Sequence, residues 1–454
     1  MILLDHSTYD ESTIGANLGA PEYSYWFVRK SFRRILQRFG VVVPVADPER
    51  DADPIFTSAQ AHGMGCVLLA FNPPQYTPVD LACPVIPVFA WEFDTIPDES
   101  WNANPREDWR YVLTRTQAAI THSTSAVKAV RDSMGQDYPI WSIPAPVFHG
   151  KAQHLSTARG LQPPTELVLR GALGIDAGAI DLRLFGPQRP VSDGARALRL
   201  LRGVISDPSR TPQVLTLDGV VYTAVLNPGD GRKNWVDLVA GFIWAFRATP
   251  DATLVLKLTQ SDMVENVQIV LGHLSKLGAF SCRVLVVHGL LDDEAYAGLV
   301  TATSFAVNTS NGEGQCLPLM EFMSAGRPAI SPHHTAMLDY ISPANAFTVA
   351  SHTRPAFWPH DERQATRCLR HQISFADLVR QYRESYRVAR DQPERYAQMS
   401  AAAVTALEAY CSDEVVITRL AEVLRYRGVS SGVAPSKAPS PLSEQRARRM
   451  HERT

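Results

Sequence analysis

The chain has 454 residues, enough for two or three domains, and its 45% hydrophobic and 20% charged content is that of an ordinary globular protein. A formal net charge of −2 argues against general nucleic-acid binding. Six scattered cysteines (Cys66, Cys83, Cys282, Cys316, Cys368, Cys411) form no C-x-x-C pair, which favours reduced thiols in a cytoplasmic setting over disulfides or structural zinc.

Residues 1–150 alternate strands and helices. The N-terminus, MILLDHSTYDES, turns polar at Asp5 and reads as a first strand with no room for a signal peptide. Further β-rich apolar runs lie at 41–45, 66–71, 85–90, 118–121 and 140–143, and such alternation predicts a parallel sheet covered on both faces. Gly15 and Gly19 give a glycine-bearing loop after the first strand. Residues 22–39 have the clearest helical spacing: Val28, Phe32, Ile35, Leu36 and Phe39 share one face, and Arg29, Lys30, Arg33, Arg34 and Arg38 crowd the other. That basic face is a solvated surface or a contact for anionic lipid. The run at 85–90 ends in Trp91 and Glu92. His122 ends the next strand, just before a helix capped by Ser123 or Ser125.

Residues 151–215 are punctuated by QPP, GPQRP and SDPSRTP and read as a long interdomain connection or insertion. A second alternating series, assigned to 216–374, has strands at 220–226, 252–258, 283–287, 305–308, 329–331 and 347–349. The loop NPGDGRKN aims Arg232 and Lys233 at the carboxyl ends of these strands. Asp292 is expected to cap a helix, and DAD at 51–53 falls in a polar, proline-containing loop, so no catalytic metal is predicted. No apolar run approaches ~18 residues, so no transmembrane helix is predicted. Residues 375–427 read as helices, and the Ser/Pro-rich, then basic 428–454 as a disordered tail.

The densest chemistry lies in NTSNGEGQCLPLMEFMSAGRPAISP, residues 308–332. A short strand ends in polar residues, Gly312 and Gly314 bracket Glu313, Pro318 suits a first helical turn, and Gly326 and Pro328 stop the helix. Glu313 thus sits in a loop at the carboxyl end of a strand, where open α/β sheets bind ligands. Glu321 lies about one turn inside the helix. The helix start between them favours a phosphate, so a sugar, a diphosphate and a ribose fit in that order.

EGQCLPLMEFMSAGRP resembles the E-x7-E signature of glycosyltransferase family 4. Gly314, Leu317, Gly326 and Pro328 match it; Gln315 and Cys316 stand where the family often has Phe and Gly. The resemblance implies a GT-B fold: two Rossmann-like domains facing a central cleft, with terminal helices crossing back to the first. It assigns Glu313 to the donor sugar, Glu321 to the ribose and Lys233 to the diphosphate. The family's arginine position holds Asn227, and Arg232 is expected to restore that charge. Asp339 falls near a frequent acidic position beside the donor. Gly15, Trp91, Glu92 and His122 would face the cleft, Trp91 stacking on a sugar and Glu92 accepting a hydroxyl hydrogen bond. The implied activity is transfer of a sugar from a nucleotide-sugar donor to a hydroxyl of a glycan or lipid-linked acceptor, with retention, without metal or cofactor, in the cytoplasm or at the inner membrane face. A non-catalytic nucleotide-sugar-binding scaffold and a GT-B nucleotide-sugar epimerase remain alternatives.

Overall fold

In the computed structural model, residues 1–148, 158–186, 212–259 and 262–428 are described. All but Gly428 of the expected tail at 428–454 and much of the 151–215 connection lie outside them. In the first domain, β1 (Ile2–Ser7), β2 (Val41–Pro44), β3 (Cys66–Phe71), β4 (Val85–Phe89), β5 (Ala119–Thr121) and β6 (Ile140–Ser142) form a parallel sheet of order β2-β1-β3-β4-β5-β6. Its central strand, CVLLAF, is buried at every position, as a sheet covered on both faces requires. The covering helices are α1 (Tyr23–Leu36), α2 (Pro48–Ala61), α3 (Trp109–Thr116) and α4 (Thr124–Met134). Asp47 caps α2 and Pro48 takes its first turn, so DAD at 51–53 is helical, which corrects the loop expected there. Asp53 spends its carboxylate on the backbone N–H groups of Ala82 and Cys83, at 3.1 and 2.9 Å.

The second sheet combines β7 (Gln162–Leu169), β8 (Leu173–Asp176), β9 (Gln213–Leu226), β10 (Ala252–Leu258), β11 (Arg283–His288), β12 (Phe305–Val307), β13 (Ala329–Pro332) and β14 (Ala346–Val349). Strands β9 to β14 pair in parallel, whereas β7 and β8 join antiparallel, on β9 and β11. Residues 162–176, read from sequence as connection, are therefore part of this sheet. Helices α5 (Trp235–Phe246), α6 (Met263–Leu274), α7 (Asp293–Ala302) and α8 (Leu317–Ser324) follow its strands. An antiparallel ribbon that the sequence reading did not anticipate, β15 (Ser351–Ala356) with β16 (Cys368–Ile373), leaves the sheet and reaches the first domain. There Asp94 accepts the Leu369 N–H at 2.7 Å, Thr95 Oγ1 donates to the Arg367 carbonyl at 2.9 Å, and the Trp101 and Trp358 rings stack.

Helix α9 (Phe375–Asp391) packs on α5. Helices α10 (Pro393–Cys411) and α11 (Asp413–Tyr426) cross to the first domain, where Asp413 pairs with Arg34 and Arg419 donates to the Ser142 carbonyl. The architecture is GT-B. Among the described residues, no helix is long and apolar enough to cross a membrane.

Candidate functional site

Two loops at the carboxyl ends of β9 and β12 build the site. In the first, Asn227 Oδ1 accepts the Gly229 N–H at 2.7 Å, and Asp230 caps a 3-10 turn over Gly231–Lys233. Asn234, in the left-handed region at φ 49°, ends that turn and begins α5. In the second, the Asn311 N–H donates to the Arg232 carbonyl at 2.8 Å, and Thr309 Oγ1 donates to the Lys233 and Asn234 carbonyls at 3.2 and 3.1 Å. The two loops therefore hold each other.

Glu313 is 3% exposed and fully committed. Its Oε1 meets Lys233 Nζ at 2.7 Å and the Ser310 hydroxyl, its Oε2 meets Arg232 Nη1 at 2.9 Å, and its N–H donates to Thr335 Oγ1 at 3.0 Å. Burial alone would raise the carboxyl, but the Lys233 and Arg232 charges outweigh it and hold Glu313 at about 2. Glu321, eight positions on, meets no cation among the described residues. Burial pushes it up to about 7, partly offset by the hydrogen bond it accepts from the Tyr296 hydroxyl on α7.

The glycines beside Glu313 are explained by space. A Cβ on Gly314 would lie 2.7 Å from the Ala90 Cβ and 2.9 Å from the Trp91 nitrogen, and one on Gly312 would lie 3.0 Å from the Glu92 carbonyl. The Glu313 loop thus touches the first domain directly. Cys316, by contrast, sits at φ 65° and ψ 65°, the left-handed region that favours glycine. It forms the boundary residue before α8, and burial pushes its thiol up to about 12. A cavity of about 20 Å³ lies among Lys233, Asn308, Thr309, Glu313, Cys316 and Leu317's neighbour Pro318, room for about one water.

The structure gathers Lys233, Arg232, Glu313 and Glu92, and separates several other expected residues from that cluster. Arg232 is not an open cation: Nη1 also donates to the Gly312 carbonyl at 2.6 Å, Nη2 donates to Asp230 at 3.1 Å, and Nε lies 3.2 Å from Glu92. Asp339 accepts from the backbone and hydroxyl of Thr124, serving the amino end of α4 across the domain boundary. Trp91 is buried against Phe93 and Trp109 and donates Nε1 to the Thr95 carbonyl at 2.7 Å, so its ring is not free to stack on a sugar. His122 is wholly buried, with Nδ1 on the Ile143 carbonyl at 2.8 Å, and burial lowers it to about 4, which makes it a core histidine. Gly15 lies on the exposed side of its loop, while Asn227 Nδ2 donates to the neighbouring Gly19 carbonyl at 3.2 Å. Gln315 is buried with no hydrogen-bond partner for its carboxamide among the described residues, and Tyr340 donates to its backbone carbonyl.

Sequence reasoning missed Tyr296, Ser310 and Thr335, the neutral groups that hold the two glutamates. It also missed His334, buried beside Thr335 and stacked on His371 at 4.0 Å. Only a hydroxyl at 310, three residues before Glu313, was a readable local signal.

No protein-family model and no curated protein matches the chain. Solved structures do. HepE of Anabaena, solved with UDP and glucose, is 11% identical over 93% of this chain and 99% of its own, with a TM-score of 0.52. The sucrose-phosphate synthase of Thermosynechococcus elongatus is 14% identical over 95% and 99%, with a TM-score of 0.52. A glycosyltransferase from Rickettsia africae is 10% identical over 95% and 99%, with a TM-score of 0.53. At these identities the likeness is one of fold.

Proposed function

We propose that the chain is a glycosyltransferase that moves a sugar from a nucleotide-sugar donor to a hydroxyl of a glycan or lipid-linked acceptor, with retention and without a catalytic metal. The carrying observation is the pairing of Glu313 with Lys233 at the mouth of α8, with Glu321 one turn inside that helix, in a GT-B cleft. In this reading the diphosphate meets Lys233 Nζ and the positive dipole end of α8, which stabilise charge growing on the leaving oxygen. Glu313 holds the donor sugar and faces the positive charge developing at its anomeric carbon. Glu321 accepts the ribose hydroxyls. The acceptor oxygen bonds to the anomeric carbon from the side on which the glycosidic bond to phosphate breaks, and its proton passes to the departing phosphate oxygen. A donor needs far more than the 20 Å³ cavity, so its entry must part the walls around Lys233 and Cys316.

The first test is a thermal-shift screen of UDP-, GDP- and ADP-sugars, beginning with UDP-glucose because HepE was solved with UDP and glucose. A ligand at ~100 times its dissociation constant adds about 2.7 kcal/mol of stability. Transfer that continues in excess EDTA is expected; loss in chelator with rescue by Mg²⁺ overturns the metal-free part. Contact with an anionic membrane through the basic face at 29–38 rests on Lys30, Arg33 and Arg38, because Arg29 is buried on Asp5 at 2.8 Å and Arg34 is paired with Asp413. Co-sedimentation with anionic vesicles that weakens with salt supports it, and equal pelleting with neutral vesicles rejects it.

Two observations favour the scaffold alternative: Arg232 is internally satisfied, and Cys316 stands in a glycine conformation beside the phosphate position. Donor binding with no turnover on any acceptor is its signature.

A further inference from the structure

Arg232 carries three carboxylates of unequal standing. Asp230 and Glu313 belong to its own domain and stay beside it whatever the domains do. Glu92 comes from the other domain, at the carboxyl end of β4, and meets Nε at 3.2 Å. Arg232 and Lys233 supply two cations against the three carboxyl groups of Glu92, Asp230 and Glu313, and burial, opposed by the Arg232 charge, raises Glu92 above its ordinary value. The cluster is thus already over-supplied with anions while largely buried: the Glu92 and Arg232 side chains are 16% and 25% exposed.

A nucleoside diphosphate adds at least two further negative charges to this ground. In a poorly solvated site that surplus is costly unless an existing anion leaves. Nη1 and Nη2 are tied to Gly312, Glu313 and Asp230, so the edge of Arg232 that can change partner is Nε. The carboxylate on that edge is also the one that the other domain supplies.

We infer that Glu92 and the donor phosphate exchange on Arg232: the donor displaces Glu92 from Nε, and the released carboxylate becomes the hydrogen-bond acceptor that orients the acceptor hydroxyl. The inference rests on the donor reading given under Proposed function. It makes Glu92 a positioning residue that reports donor occupancy to the acceptor side, and it orders binding, donor first. Glu92 is well placed for this, since its backbone carbonyl and Cβ already pack against Gly312 in the Glu313 loop.

Calorimetric titration of the full chain with UDP, GDP, ADP and inorganic pyrophosphate tests it, on the parent, Glu92→Gln and Glu92→Asp. Glu92→Gln keeps the shape and removes the competing charge; Glu92→Asp keeps the charge and shortens its reach. The expected result is at least fivefold tighter nucleotide binding by Glu92→Gln and a smaller gain by Glu92→Asp. With a competent acceptor, kcat of Glu92→Gln falls at least tenfold while the donor KM decreases. Thermal midpoints near that of the parent establish that both variants fold. If the parent binds nucleotide and both variants bind it equally or more weakly, the exchange is overturned and the donor reading stands. If neither parent nor variants bind any of the four probes, the donor reading fails and takes this inference with it.

Discussion

Glu313 and Glu321 are the same residue type on one loop and one helix, and their surroundings drive them in opposite directions. Glu313 has Lys233 and Arg232 within hydrogen-bond reach and is held at about 2; Glu321 has the Tyr296 hydroxyl and is pushed up to about 7. The sign of each contribution to stability follows. Glu313 is depressed below its ordinary 4.5, so its contribution is present above about 4.5 and is lost as pH falls toward 2. Glu321 is raised, so the unfolded chain gives up that proton first, and stability declines as pH climbs from about 4.5 to about 7. A buried carboxylate beside cations is a fixed charge. One in a neutral pocket is a group whose charge depends on what arrives.

The strongest way to break this contrast is Lys233→Ala. It strips Glu313 of its closest cation and leaves a buried carboxylate on Arg232 alone, at a cost of about 3 kcal/mol in stability. It also removes the cation nearest the donor diphosphate, so kcat/KM falls roughly 100-fold. Chemical denaturation beside steady-state transfer measures both. Glu313→Gln comes next. Gln keeps the volume and removes the charge that Lys233 and Arg232 both hold, so the free nucleoside diphosphate binds no more weakly than to the parent while transfer drops at least tenfold, about 1.4 kcal/mol. Transfer at the parental rate would remove Glu313 from the mechanism.

The contrast sharpens on the Glu321 side. Ribose hydroxyls need a carboxylate to donate to, so nucleotide affinity should strengthen as pH rises through about 7. Glu321→Gln should flatten that dependence, which calorimetry from pH 6 to pH 8 would reveal; an unchanged slope in the variant assigns it elsewhere. The smallest effect is expected of Tyr296→Phe. Losing this donor leaves Glu321 less stabilised as an anion and moves its titration above 7, shifting the affinity profile without more than a few-fold change at its plateau.

The part of the site that was legible in the sequence is local. Strand, glycines, Pro318 and two glutamates within 25 residues announce a loop and a helix because every determinant acts over one or two turns. What sequence could not give depends on contacts between distant segments. Nothing near Asp339 says that it will serve Thr124, and nothing near Arg232 says that Glu92 will occupy Nε. Trp91 and His122 were expected at a cleft because they end strands, yet packing with Trp109 and the Ile143 carbonyl draws both inside. The β15–β16 ribbon escaped because SHTRPA and CLRHQI lack a clear two-residue alternation. Its support comes from Asn311 and the Asp94–Thr95 loop.

The crossing of α10 and α11 has a consequence for the order in which the chain becomes soluble. Leu407, Val416, Leu420 and Leu424 share one apolar core with Phe32, Ile35 and Ile143. Arg34, the Ser142 carbonyl and the His122 carbonyl likewise find partners at Asp413, Arg419 and Tyr410. The first 148 residues leave the ribosome long before those partners exist. At ~5–20 residues per second the wait is roughly 15–60 s, during which one flank of the first domain is an unfinished interface. The first domain therefore depends on helices made long after it, and a nascent chain arrested near Asp391 should be more open to protease on that flank than one extended past Tyr426.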